Sequence, residues 1–154
     1  MNNRNYSSNK EKGQNMLEFA FTVTLFLMLL FSIIEGGRAL WTWNALVQAT
    51  RAGARYAAVE TPTANDTLIK KMVVYNDPNG GSGSTPVIPG LTEANVSVRY
   101  LNNDGSVAAN KLTADTVEVS IKNYQFVAIA SYLGTAVTLP ASTTVLPLEG
   151  LGAN

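Results

Sequence analysis

The chain is 154 residues long, room for one globular domain and an accessory element, and it balances 11 Lys and Arg against 11 Asp and Glu, so no basic field is available to hold nucleic acid by counterion release. It contains neither cysteine nor histidine, which removes disulfides, thiolate nucleophiles, the commonest general base and nearly every zinc or copper site. Carboxylate, Lys, Tyr or Ser/Lys chemistry remains, but no convergent set of such residues is visible, and neither an enzymatic activity nor a cofactor is expected.

The first thirteen residues are polar and rich in Asn and Ser, with Arg4, Lys10 and Lys12 against the single acid Glu11. They read as a disordered basic leader, 1–13. From Phe19 to Ile34 no residue is charged, and polarity is broken only by Thr22, Thr24 and Ser32, whose hydroxyls can bond back to helix carbonyls. That run spans about 24 Å as a helix, slightly less than a hydrocarbon core of about 30 Å. Met16 and Leu17 on one side, and Leu40, Trp41 and Trp43 on the other, extend it into the interfaces, giving a transmembrane part over about 17–40. A buried core helix is the alternative, but a helix apolar on every face needs more surrounding core than this chain supplies. The basic leader favours retention of the N-terminus in the cytoplasm, so the remainder is expected outside the cytoplasmic membrane. A cleaved secretory signal fits poorly, because no small-x-small pair follows the run; Glu35 and Arg38 crowd the positions around Gly36 and Gly37.

Helical spacing continues from Ala39 to Val59, with Asn44, Gln48, Arg51 and Arg55 on one face and Ala45, Ala49, Ala52 and Gly53 crowding the rest. Pro62 ends this long helix, assigned to 14–61. Gly36 and Gly37, each costing about 1 kcal/mol in a helix interior, mark an expected kink or local melting. A shorter helix is expected over 65–75, where Leu68, Ile69, Met72 and Val73 form a stripe. Residues 76–90 are dense in Gly and Pro and read as a mobile connection. Val96, Val98 and Tyr100, then Val117, Val119 and Ile121, alternate with polar residues as strands do, with turn chemistry at Asn103, Asp104 and Gly105. A mixed apolar patch over 126–133 precedes weak alternation over 135–146, where Pro140 suggests an edge or bulge. The expected fold is α+β: a long N-terminal helix packed on a small antiparallel sheet, with the extracytoplasmic domain over 62–154.

The junction Lys12, Gly13, Gln14, Asn15, Met16, Leu17, Glu18, Phe19 carries the sharpest signal. An ionised carboxylate at the bilayer centre costs about 2.5 to 3.5 kcal/mol, so Glu18 at the rim of an apolar helix calls for compensation. Cleavage after Gly13 would free an amine at Gln14 and place its positive charge about a turn from a glutamate of the same or a neighbouring chain. This layout resembles the processing site of type IV prepilins: a basic leader, a glycine before the cut and a glutamate fifth in the mature chain. Over residues 13–59 the sequence resembles the N-terminal signature of the TadE-like pseudopilins of tight-adherence (Tad) pilus and secretion systems, including Glu35, Gly37 and Arg38 at the end of the apolar run. Asn44, Ala45, Ala49, Arg51, Gly53, Ala54 and Arg55 follow in the next helical stretch.

The resemblance implies a structural pilin or pseudopilin, processed between Gly13 and Gln14 by a prepilin peptidase. It implies assembly through Glu18, Phe19, Glu35 and Arg38, with copies of itself or sister pilins, on a pilus assembly platform, in support of surface attachment. Membrane lipid would be the partner before assembly. Glu35 and Arg38 at i, i+3 also read as an ordinary helix-surface pair. A competing functional reading is a single-pass anchored binding module that never polymerises, which needs neither Gly13 nor Glu18. The turn at 102–105 has oxygen ligands but lacks the spacing of a calcium loop, and Gly80, Gly81 and Gly83 lack the Lys and Ser/Thr pair of a phosphate loop.

Overall fold

A computed structural model describes residues 5–59, 65–109, 111–128 and 136–148. Helix α1 spans Asn5–Val59, so it begins within the leader expected to be disordered, whose residues 1–4 lie outside the described range. A helix that already exists extends without a new nucleus, gaining a hydrogen bond for each residue added. The same cooperativity carries α1 through Gly36 and Gly37 without the expected melting, since both are helical. Pro62 and the boundary expected at 61/62 lie outside the described residues. Contacts divide the chain into two compact units, one up to Arg38 and one from Ala39 onward, and α1 contributes to both.

In the second unit, α2 (Asp66–Tyr75) starts where the Asn65 side chain accepts a hydrogen bond from the Thr67 N–H and ends where Asn76 takes the left-handed conformation, φ 55. Its Ile69, Val73 and Val74 are buried. The Gly- and Pro-rich segment that follows is not a mobile tether. Gly80 N–H donates to the Asp77 carbonyl at 3.0 Å, Ser84 N–H to Gly81 at 2.8 Å and Val87 N–H to Val74 at 2.8 Å. Ile88 and Leu91 enter the core, and burial of such side chains contributes about 1.5 to 3 kcal/mol each, enough to hold a loop of turn residues in place. Gly80 is required there, because a Cβ would sit 2.7 Å from that of Tyr75.

Three strands, β1 (Val96–Leu101), β2 (Thr116–Ile121) and β5 (Ser142–Pro147), form an antiparallel sheet in the order β1-β2-β5. Val98 pairs with Val119 and Val119 with Thr144, so these residues share one face. A second, two-stranded sheet joins β3 (Gln125–Val127) to β4 (Ala136–Thr138), with Phe126 opposite Val137. It uses the start of the expected apolar patch; residues 129–135 lie outside the described range. Pro140 falls between β4 and β5, where it interrupts no ladder.

The core joins Leu46, Ala49, Ala54 and Ala57 of α1 to α2, to Val117, Val119 and Ile121 of β2, and to Tyr124 and Phe126. The helix buries small residues and the sheet supplies the branched ones, which lets the layers approach closely. Gly53 marks the tightest point: a Cβ there would collide with Val73 Cγ2 and lie 3.5 Å from Val119 Cγ1.

Candidate membrane and assembly surface

The first unit contributes an apolar surface. Phe19, Phe21, Leu25, Phe26, Met28, Leu29, Phe31, Ile33 and Ile34 are all exposed, and α1 contains a stretch long and apolar enough to cross a membrane, whose most apolar 18-residue window is 0% buried. Its hydroxyls are satisfied within the helix. Thr22 donates to the Glu18 carbonyl at 2.9 Å, Thr24 to Ala20 at 2.7 Å and Ser32 to Met28 at 2.7 Å. No side-chain donor between Phe19 and Ile34 therefore needs water, the condition for entering hydrocarbon without a large penalty.

The expected site residues sit along this surface. Gly13, Gln14, Glu18 and Phe19 are helical and exposed, and among the described residues the Glu18 carboxylate has no ion-pair partner. Glu35 and Arg38 close the other end of the run: Arg38 Nη2 donates to Glu35 Oε1 at 2.6 Å and Nε to Oε2 at 3.4 Å. The fork engages both carboxylate oxygens and compensates the two charges against each other. The two ends thus differ, with an intrahelical ion pair at one and a lone carboxylate at the other.

Within the second unit the two Trp residues, expected to anchor together, face different surroundings. Trp41 is 64% exposed, whereas Trp43 packs against the core. Two residues apart on a helix means about 200° of rotation, which separates them. Asn44, Gln48, Arg51 and Arg55 are exposed on one stripe, as their spacing requires. The sequence reading missed Thr50, whose buried hydroxyl meets Ser142 and Thr144 of β5. It also missed an open groove between α1 and α2, lined by Ala45, Ala49, Ala52, Met72 and Val87 among others. Ala49, Gly53 and Ala57, four residues apart on one helix face, were the available signal of close packing.

In the turn with possible cation ligands, one oxygen of each carboxylate accepts hydrogen bonds from the loop itself. Asp104 Oδ1 accepts from Ser106 N–H at 2.9 Å and from its hydroxyl at 2.6 Å, and Asp115 Oδ2 accepts from Asn103 N–H at 2.7 Å. The Ser106 hydrogen bonds hold the Asp104 carboxyl below its usual range. Among the described residues no group of three or more acids is placed to hold a metal ion.

A family model described as TadE-like protein matches residues 13–55. The matched stretch is the part of α1 that holds Gly13, Glu18, the apolar run, the Glu35–Arg38 pair and the exposed stripe down to Arg55. No curated protein and no solved structure matches the chain.

Proposed function

We propose that this chain is a pilin or pseudopilin-like structural subunit, held in a bacterial cytoplasmic membrane by α1 with its N-terminus on the cytoplasmic side. Trimming by a prepilin peptidase after Gly13 frees an amine at Gln14. The subunit then leaves lipid and packs through α1 against copies of itself or sister pilins, on an assembly platform, in a filament that supports surface attachment. The observation that carries this reading is the exposed run of α1, in which every hydroxyl is bonded within the helix and a single lone carboxylate, Glu18, stands at the rim. Lipid satisfies the apolar surface of such a helix but not its glutamate, whereas a bundle of identical helices with free N-terminal amines satisfies both. The TadE-like match over the same stretch supports the assignment.

The test is a reporter fused after Asn154 together with fractionation of the untagged chain. Activity of the fusion outside the cytoplasm, and recovery of the chain both in membranes and in sheared surface filaments, are expected. Cytoplasmic activity of the fusion would overturn the orientation and the subunit role together.

A further inference from the structure

The second unit carries two exposed surfaces of complementary chemistry. One is on α1. Leu46, Thr50, Gly53 and Ala57 mark the side of the helix turned to the core, and Gln48, Arg51 and Arg55 lie about half a turn of the helix away, all exposed. Among the described residues neither arginine has an ion-pair partner, and at i, i+4 the two like charges oppose each other. Beside them the groove between α1 and α2, about 310 Å³, is walled by alanines, Met72, Val73 and Val87, with Gln48 and Asn76 as its polar lining. Among the described residues nothing neutralises the cations or fills the groove.

The other surface is the connection 102–115 between β1 and β2. Its Leu112 is 75% exposed and Val107 68% exposed, two apolar side chains left in water. Asp104 and Asp115 are exposed beside them, and the hydrogen bonds from Ser106 and Asn103 hold both carboxylates on this one loop. Counting Lys111 against Asp104 and Asp115, the loop carries net negative charge beside its apolar side chains.

We infer that the 102–115 loop of a second copy docks on this groove, with Leu112 seated between α1 and α2 and with Asp104 and Asp115 facing Arg51 and Arg55. The sheet that bears the loop packs on the opposite, buried side of α1, so a chain does not make this contact with itself. The two patches are different, which makes the interface heterologous: each copy offers a groove to one neighbour and a knob to another, and repetition yields a ring or an open row instead of a two-fold dimer. This inference rests on the assembly reading above and adds a second contact to it, outside the membrane and independent of the apolar run.

The chain has no cysteine, so introduced ones report contacts without background. Full-length Gln48→Cys and Leu112→Cys chains, differently tagged and co-expressed, should cross-link to each other in membranes or filaments, while neither cross-links when expressed alone. Adding Arg51→Glu and Arg55→Glu to the first chain should reduce that product to the single-population level, and Asp104→Lys in the second should restore part of it. A homotypic cross-link through Leu25→Cys reports packing of the apolar runs. If the Leu25 product forms while the Gln48–Leu112 product does not, or if the double charge reversal leaves the latter unchanged, the docking contact is wrong and the assembly reading stands. If neither product forms, both fall.

Discussion

The Thr50 hydroxyl lies 3.2 Å from that of Ser142, a contact between α1 and β5 across 92 positions of sequence. Thr50 also donates to the Val47 carbonyl at 2.9 Å and accepts from Thr144 at 3.1 Å, so one fully buried oxygen ties the helix to the last strand. Thr50→Val keeps the shape and removes that oxygen, leaving the buried Ser142 hydroxyl short of a partner. An unsatisfied buried hydroxyl costs about 1 to 3 kcal/mol, and Thr50→Val is expected to lose stability of that order. Thr50→Ser, which loses only a methyl, should cost roughly 0.8 kcal/mol. Denaturant midpoints of the full chain in detergent separate the two; equal midpoints for Thr50→Val and the parent would show that the hydroxyl cluster carries no stability.

Gly53→Ala sets two known effects against each other. Ala gains about 1 kcal/mol over Gly in a helix interior, but here its Cβ collides with Val73, itself buried and restricted at χ1 by its β-branch. Overpacking of this kind costs about 1 to 3 kcal/mol. A net loss is expected from Gly53→Ala, and a larger one from Gly53→Val. Gly36→Ala, where no atom lies within 4 Å, should instead be neutral or stabilising in the same denaturation measurement.

Local regularities were legible in the sequence and long-range ones were not. Alternation placed Val96–Tyr100 and Val117–Ile121 in strands because a half-buried sheet imposes a period of two, and the stripe of Leu68, Ile69, Met72 and Val73 announced α2. Composition misled at 76–90: Gly and Pro reveal that the chain turns, not whether an Ile88 within it finds a core. It misled again at Gly36 and Gly37, where propensity predicted a break that helix cooperativity overrides. Glu18, Phe19, Glu35 and Arg38 stood out as local features of one helix, whereas Thr50 with Ser142, or the groove between α1 and α2, depend on how distant segments pack.

Tyr100 supplies a pH-dependent prediction. Its hydroxyl donates to Asp66 Oδ1 at 3.2 Å and its pKa is pushed up from 10.0 to about 12, by burial first and then by the Asp66 charge and hydrogen bond. The fold favours the neutral phenol, so between those values the unfolded chain has lost a proton that the folded chain keeps. Stability from this group is present below pH 10 and falls as pH rises toward about 12. The tyrosinate absorbance difference between the parent and Tyr100→Phe should show one late-titrating tyrosine. Asp66→Asn should lower its pKa only in part, because burial remains. Titration of Tyr100 at the ordinary value of 10.0 would contradict the packing described for it.

Processing is checked directly by mass. Chains recovered from assembled material should begin at Gln14, and the loss of Arg4, Lys10 and Lys12 with only one acid, Glu11, shifts the balanced chain to net negative charge. Recovery of Met1 on assembled protein would exclude the cleavage step while leaving membrane anchoring untouched.

Glu18→Ala is expected to leave membrane insertion intact and to abolish assembly. In lipid, a carboxylate at the rim of an apolar helix is a cost, and among the described residues no cation of the chain compensates it. If Glu18 served anchoring alone, its removal would be neutral or favourable for residence in the membrane. In a bundle of α1 helices the sign reverses. Packed apolar runs exclude water, and the amine freed at Gln14 of an incoming subunit needs an anion there. Removing one partner of a buried pair costs about 3 to 5 kcal/mol because the other charge is left desolvated, which is a factor of more than a hundred against each addition step. Glu18→Gln keeps the shape and loses the charge, so it should fail nearly as badly; Glu18→Asp keeps the charge and should retain part of the activity. Comparing each variant's abundance in the membrane fraction with its recovery in sheared filaments, or with co-purified sister pilins, separates insertion from assembly. Normal assembly by Glu18→Ala would reject the pairing, whereas absence of the parent chain itself from filaments would favour a membrane-anchored module that does not polymerise.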